Sequence, residues 1–419
     1  MSEYLHNPRL VCPLKAAPSE PASLLKVVQH IVPAWGMSVQ GEEAVRIEPL
    51  TGGITNVLFK LTPVSPGPPI VIVRLFGEGT ELFVDRDIEN VVFSELSRLE
   101  MGSPIFYGLF ENGRVEGYLE ARAVTPEEMH DPRIYRRIAS AVARLHSQGP
   151  QIRGLGCSDL ALFPKMRRFF ALACQVSFPD SQPSRQEQLV ALALEDKRRQ
   201  MEQLDTRLQA ARAAADAALV AAGPDVLLLD HDDTAEAAAT ALAFQGVLCH
   251  NDLLSGNVLL SLSTLVDAPG SEGVTLIDFE YAAYNARGWD LANHWCEFAG
   301  FDSDFARQFP GEEKRREYLH HYLDAASAAD SVTNVGEARQ LTEWAALRSQ
   351  DGQNAADKCE RFVAALDRAI CWFLPASHQF WGSWCVLQAA HSNIDFDFLL
   401  YSRKRFDGLT LHQNLFGLQ

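Results

Sequence analysis

The sequence predicts an α+β protein in two lobes, a small antiparallel-sheet N-lobe over residues 44–125 and a larger, mostly helical C-lobe over 126–419. In the first, short apolar runs at 45–50 and 57–61 are parted by the turn-forming stretch Thr51-Gly52-Gly53, a third run covers 70–77, and a further turn at Asn112-Gly113 leads into another strand, the pattern of strands joined by tight turns. In the second the apolar period lengthens. After Asp131-Pro132, Ile134, Ile138, Val142 and Leu145 fall on one helical face. Residues 186–222, rich in Ala, Leu, Glu, Arg and Gln, contain no Gly or Pro and predict one or two long helices. A further helical region covers 312–367, with a polar break around 330–336.

Ahead of the sheet, residues 1–43 read as a tail and a helix, with a flexible Pro-rich segment at 8–21 and the helix at 24–35. Residues 223–243 are acidic and Ala-rich and predict a solvated insertion loop. Asp230-His-Asp-Asp233 belongs to that loop rather than to a metal site. The segment 118–122 is the expected hinge between the lobes.

The chain has 419 residues and a formal net charge of -17, so nucleic acid or an anionic membrane is disfavoured as the main partner. Its eight cysteines are scattered with no C-x-x-C pair, which predicts reduced thiols and a cytoplasmic location. No run of about eighteen apolar residues occurs, and the N-terminus lacks the apolar core of a signal peptide.

The chemistry is written most clearly in His250-Asn251-Asp252, followed five positions later by Asn257, between two apolar runs. A loop so placed aims a carboxylate and a carboxamide at one point, as a kinase-type catalytic loop does. Asp252 is the expected base for an attacking hydroxyl, and Asn257 offers a neutral oxygen to magnesium. The apolar run 274–277 ends in Asp278-Phe-Glu280, two carboxylates suited to a metal at a strand end. In the N-lobe, Gly52 and Gly53 allow close approach of backbone to phosphates and Thr55 and Asn56 add donors. Arg74 is a single cation in an apolar strand and must find a partner or a ligand.

The run from Asp278 through Asn285, Asp290, Asn293-His294 and Glu297 resembles the signature of choline and ethanolamine kinases, and the likeness extends over about 24–406. It implies a protein-kinase-like fold, ATP as co-substrate with Mg²⁺, Arg74 in the place of the protein-kinase lysine, and Glu89 as its matching acid. Asn257, Asp278 and Glu280 are the implied metal residues. Asp290, Asn293 and His294 read as buried polar groups bracing the loop. Four stretches lean to the ethanolamine branch: 80–87, Leu253-Leu254, 297–300 and 394–399.

The amine is expected in the C-terminal part, where Trp381, Trp384, Phe396 and Tyr401 offer aromatic faces and Asp395 and Glu297 offer charge. Phe398 reads as core. The implied activity is phosphorylation of ethanolamine, the first step of phosphatidylethanolamine synthesis by the CDP-ethanolamine route, with choline as the alternative substrate and a homodimer as a possible assembly. An inactive kinase-fold binding protein and an antibiotic phosphotransferase are the other readings. The intact Asp252, Asn257 and Asp278 argue against the first and the Asn293-His294 to Glu297 signature against the second.

Overall fold

The protein is seen here as a computed structural model, which describes residues 10–50, 56–77, 84–99, 103–148, 152, 160–223, 230–262, 273–333, 339–392 and 394–418. The two expected lobes are present. The small lobe is one six-stranded sheet in the order Leu10–Cys12, Phe106–Phe110, Gly113–Gly117, Val71–Phe76, Asn56–Pro63, Val45–Leu50. All neighbours run antiparallel except the first pair, which is parallel.

Alternation along the strands decides which face is dry. Leu61, Val71, Val73 and Val115 turn to a core completed by Leu24, Leu25, Val28 and Trp35 of the helices Pro21–Ile31 and Pro33–Ser38. The Pro-rich segment therefore departs from the expected flexible tail. From Leu10 onward it adds a strand, Cys12 is fully buried, and the Ala16 amide donates to Asn112 Oδ1 at 3.1 Å. Residues 10–43 pack on the small lobe's sheet, and apolar side chains from Cys12 to Val39 supply about half of its core.

The helix Arg86–Arg98 follows, its free amides capped by Asp85, whose Oδ1 accepts from Asp87 N and Ile88 N at 3.2 and 3.1 Å. It presents Val91, Val92, Phe93 and Leu96 to the large lobe's core.

The large lobe carries two small sheets set on helices. One joins Ala121–Ala123, Val258–Ser261 and Val274–Leu276; the other pairs Gly246–Cys249 with Ala283–Ala286. Beneath them lie the helix Arg287–Cys296, buried in all ten residues, and Leu374–His391, buried from Leu374 to Ala389. A helix buried on every side has neighbours all round. These two form the centre on which the site is built.

The long helical stretch resolves into Pro183–Ala191 and Leu194–Ala222, and the later region into Glu312–Thr333, Arg339–Arg348 and Gln353–Cys371. The expected insertion loop is instead largely a helix, Asp232–Phe244, with Ala235, Ala238, Ala239, Leu242 and Ala243 buried. Its alanines, read as low complexity, are the small side chains that let it lie close against Leu194–Ala222 and Gln353–Cys371. Asp230 pairs with Lys358, and Asp232 with Arg361 at 3.4 Å, so these acids tie the helix down rather than gather a metal. The seven cysteines among the described residues are unpaired, and no helix of those residues is long and apolar enough to cross a membrane.

Candidate active site

The loop 250–257 hangs between two strands whose partners fix its ends. Gly246–Cys249 is held by Ala283–Ala286, and Asn257 O accepts from Ile277 N at 3.0 Å, which brings Asp278 beside the loop. His250 Nδ1 accepts from the Asp252 amide at 3.3 Å, so its proton is on Nε2, which donates to Ile277 O at 2.8 Å. The asparagine then turns inward. Asn257 Nδ2 donates to Asp252 O at 2.8 Å and Oδ2 at 3.3 Å, leaving its carboxamide oxygen directed away from the base.

Asp290 bears this loop from below: its carboxylate accepts from His250 N at 2.8 Å, Asn251 N at 2.7 Å and His146 Nε2 at 3.0 Å. Asn293 Nδ2 donates to Asn251 O at 3.1 Å, and the His294 ring meets Leu253 O at 2.8 Å. The three residues expected to brace the loop thus make bracing contacts. Asn251 and Asp278 have φ of 64° and 65°, in the left-handed region that Asn and Asp enter more readily than other side chains.

Asp252 is half-buried and its carboxyl is pushed well above the usual carboxylate range, by burial first and then by Glu297, Asp278 and Glu280. So many acids converge that the site calls for cations. Asp278 Oδ1 is buried and accepts no hydrogen bond among the described residues; Arg74 Nη1 is 3.6 Å from it. Carboxylate and carboxamide oxygens on Asn257 and Asp278 are the donors magnesium takes, so the residues fit that ion. Glu280 faces the small lobe, receiving Asn56 Nδ2 at 3.4 Å and Arg86 Nη1 at 3.3 Å.

Arg74 meets this cluster from its strand, but its main partner is Glu116, whose Oε1 accepts from Nε at 3.3 Å and Nη2 at 3.2 Å. The expected direct pair with Glu89 is therefore corrected. Glu89 binds Arg114 and Arg86, each at 2.7 Å, and Arg114 in turn binds Glu116 at 2.9 Å. One acid, Glu116, and one arginine, Arg114, interpose where a direct ion pair was expected. Gly52, Gly53 and Thr55 lie outside the described residues.

The aromatic residues fall into two groups. Trp381 and Trp384 meet edge to face at 5.5 Å, and Tyr281 joins them: its ring is 5.4 Å from Trp381 and its hydroxyl accepts from Trp384 Nε1 at 2.8 Å. Trp381 Nε1 donates to Asn293 Oδ1 at 2.8 Å, so this group is tied to the brace of the catalytic loop. Tyr401 and Phe396 form the second group with Phe301, at 5.6 to 6.0 Å. Phe398 is buried against Trp384, as expected of core.

The carboxylates are less uniform than expected. Asp395 is exposed, while Glu297 is buried and accepts from Arg405 Nη1 at 2.8 Å, so much of its charge is already balanced. Tyr281, Glu116, Arg114, Arg86 and Arg405 were missed as members of this network. For Tyr281 the signal was present, next to Glu280. Arg114 and Glu116 escaped because charged residues between two glycines give no sign of burial, yet all five residues of Gly113–Gly117 are buried in mid-sheet.

Fold and loop together define a kinase-like phosphotransferase. The sequence matches the choline/ethanolamine kinase family pattern over residues 47–410, and the chain belongs to that family. It is 28% identical over 398 residues to a probable choline kinase 3 of Arabidopsis thaliana, covering 93% of this chain and 92% of that one. It is also 28% identical over 388 residues to a probable ethanolamine kinase A of Dictyostelium discoideum, covering 92% and 89%. Among solved structures, a choline kinase from Cryptosporidium parvum Iowa II superposes with a TM-score of 0.64 at 20% identity, covering 94% and 96%. Family membership carries ATP-dependent phosphoryl transfer to a small alcohol; the two amines are not separated by these identities.

Proposed function

We propose that the protein transfers the γ-phosphoryl group of ATP to the hydroxyl of ethanolamine, giving phosphoethanolamine and ADP, with choline as the alternative substrate. The observation that carries this reading is that Asp252 and Asn257 on the braced loop have Asp278 beside them and the Tyr281–Trp381–Trp384 group tied to the same brace. Asp252 takes the proton of the hydroxyl as its oxygen attacks phosphorus, and the bond to the ADP oxygen breaks in line. Asn257 and Asp278 hold Mg²⁺, with Glu280 assisting, and the ion neutralises phosphate charge when bound. Arg74 takes phosphate oxygens, and Asn56, with Gly52, Gly53 and Thr55, supplies further donors to them. Glu89 acts on Arg74 through Arg114 and Glu116.

Trp381 and Trp384 offer ring faces to the ammonium, each contact worth about 0.5 to 2 kcal/mol. Tyr401 and Phe396 extend that wall outward, with Asp395 at the rim. Glu297, shared with Arg405, contributes field rather than an open ion pair. The choice of ethanolamine rests on the four branch-like stretches of sequence. ADP release with Mg-ATP against ethanolamine, choline, monomethylethanolamine and an aminoglycoside tests it: ethanolamine should give the highest kcat/KM. A higher value for choline reverses the choice, and no turnover of any amine removes the enzyme.

A further inference from the structure

Lys165, on the helix Leu162–Ala173, has no part in the reading above. Its Nζ lies over the Tyr281 ring, 4.7 Å from the centroid, and the charges that act on it most are Glu280, Asp85, the exposed Arg168 and then Asp252. The side chain is half-buried, yet among the described residues it makes no hydrogen bond or ion pair. The arginines that meet the acids of the cleft are committed. Arg74 serves Glu116 and Asp278, Arg86 serves Glu89 and Glu280, and Arg405 serves Glu297.

An ammonium with three donors and only a ring face to rest on is available to an anion. A ring contact is worth about 0.5 to 1 kcal/mol at a partly exposed site, and a charge-assisted hydrogen bond to a phosphate oxygen exceeds that. The four-carbon stem lets Nζ swing between the two. Tyr281 cannot follow, because its hydroxyl is held by Trp384. A substrate ammonium seated among Tyr281, Trp381 and Trp384 repels Nζ from the shared ring. The transferring phosphoryl group is the anion that takes it up.

We propose that Lys165 is a further catalytic residue, whose ammonium leaves the Tyr281 ring and binds an equatorial oxygen of the phosphoryl group as it passes from ATP to the alcohol beside Asp252. The covalent balance is unchanged. The alcohol oxygen bonds to phosphorus, the bond to the ADP oxygen breaks, and the hydroxyl proton goes to Asp252. Lys165 neither gives nor takes a proton. This rests on the assignment of Asp252 as the base.

The test is Lys165→Met, which keeps the unbranched stem, beside Lys165→Arg, Asp252→Asn and the unaltered protein. Lys165→Met should lower kcat by about 10² to 10³, the effect of removing one donor to a developing anion, with KM for ATP and amine within about threefold. Its inhibition by the phosphorylated amine product should weaken about tenfold. Lys165→Arg should recover at least about tenfold of the lost rate, which a purely structural role would not predict. Near-normal kcat in Lys165→Met would overturn the proposal, as would a rise in amine KM alone or a lower melting temperature with intact kinetics. Full turnover by Asp252→Asn would overturn the base, and Lys165 with it; loss there with full activity in Lys165→Met would sink only Lys165.

Discussion

Glu116→Gln isolates the link between the small lobe's charge network and nucleotide binding. The carboxylate is 3% exposed and holds two guanidiniums, Arg74 at 3.2 Å and Arg114 at 2.9 Å. Glutamine keeps the volume but retains one acceptor oxygen and turns an NH₂ towards a buried cation. Breaking a buried pair by removing one partner costs roughly 3 to 5 kcal/mol. Here Arg74 keeps Asp278 at 3.6 Å and Arg114 keeps Glu89 at 2.7 Å, so the lower end, about 3 kcal/mol, is expected. Arg74, no longer held against its strand neighbour, should also grip phosphate less well, raising KM for ATP about tenfold, or about 1.4 kcal/mol. Urea denaturation reads the first quantity and initial rates at saturating amine the second. Glu89→Gln is the control, since it should destabilise comparably but raise KM for ATP less. A loss under about 1 kcal/mol for Glu116→Gln, or a KM effect seen only in Glu89→Gln, would refute the assignment of Glu116 as the holder of Arg74.

Asp252→Asn should lower kcat by about 10² to 10⁴ with an unchanged circular dichroism spectrum; near-normal kcat would remove it as the base. Trp384→Leu removes a ring face and the donor to the Tyr281 hydroxyl, so amine KM should rise while KM for ATP holds, with a stability loss of about 2 to 5 kcal/mol. An unaltered amine KM would leave Trp384 as core only. Burial lowers His294 to about 4 and His412 to about 3, so both stay neutral in the fold as the unfolded chain gains protons below about 6.5. Their stabilisation is complete above that value and lost on acidification, each about 2 kcal/mol by pH 5. A urea midpoint that does not move between pH 7.5 and 5 would contradict this.

Most of the fold and the chemical centre were legible because they are local. Strand, loop and strand around Asp252 are written in one continuous segment, and so is the acid pair after the strand Val274–Leu276. What escaped was non-local. Glu116 reaches Arg74 across neighbouring strands, and nothing in the chain's order favours it over Glu89, which also carries a buried charge. The helix Asp232–Phe244 looked like a loop because alanine signals neither face of a helix. Its burial is decided by helices that come before and after it. Leu10–Cys12 looked like tail because three residues carry no period, and only the sheet edge at Phe106–Phe110 gives them a structure.

The left-handed backbone at Asn251 and Asp278 bears on how the enzyme is made. Residues in such sparsely populated conformations cost about 1 to 3 kcal/mol each and persist only where surroundings over-determine them. For Asn251 those surroundings arrive late: its amide is held by Asp290, 39 residues further on, and its side chain by Tyr281 O, 30 residues on. The segment carrying Asp252, the proposed base, is thus expected to take its shape only once the central helix has docked beneath it. During refolding, tryptophan fluorescence is therefore expected to recover before turnover does, the interval being the time the chain takes to set this one loop.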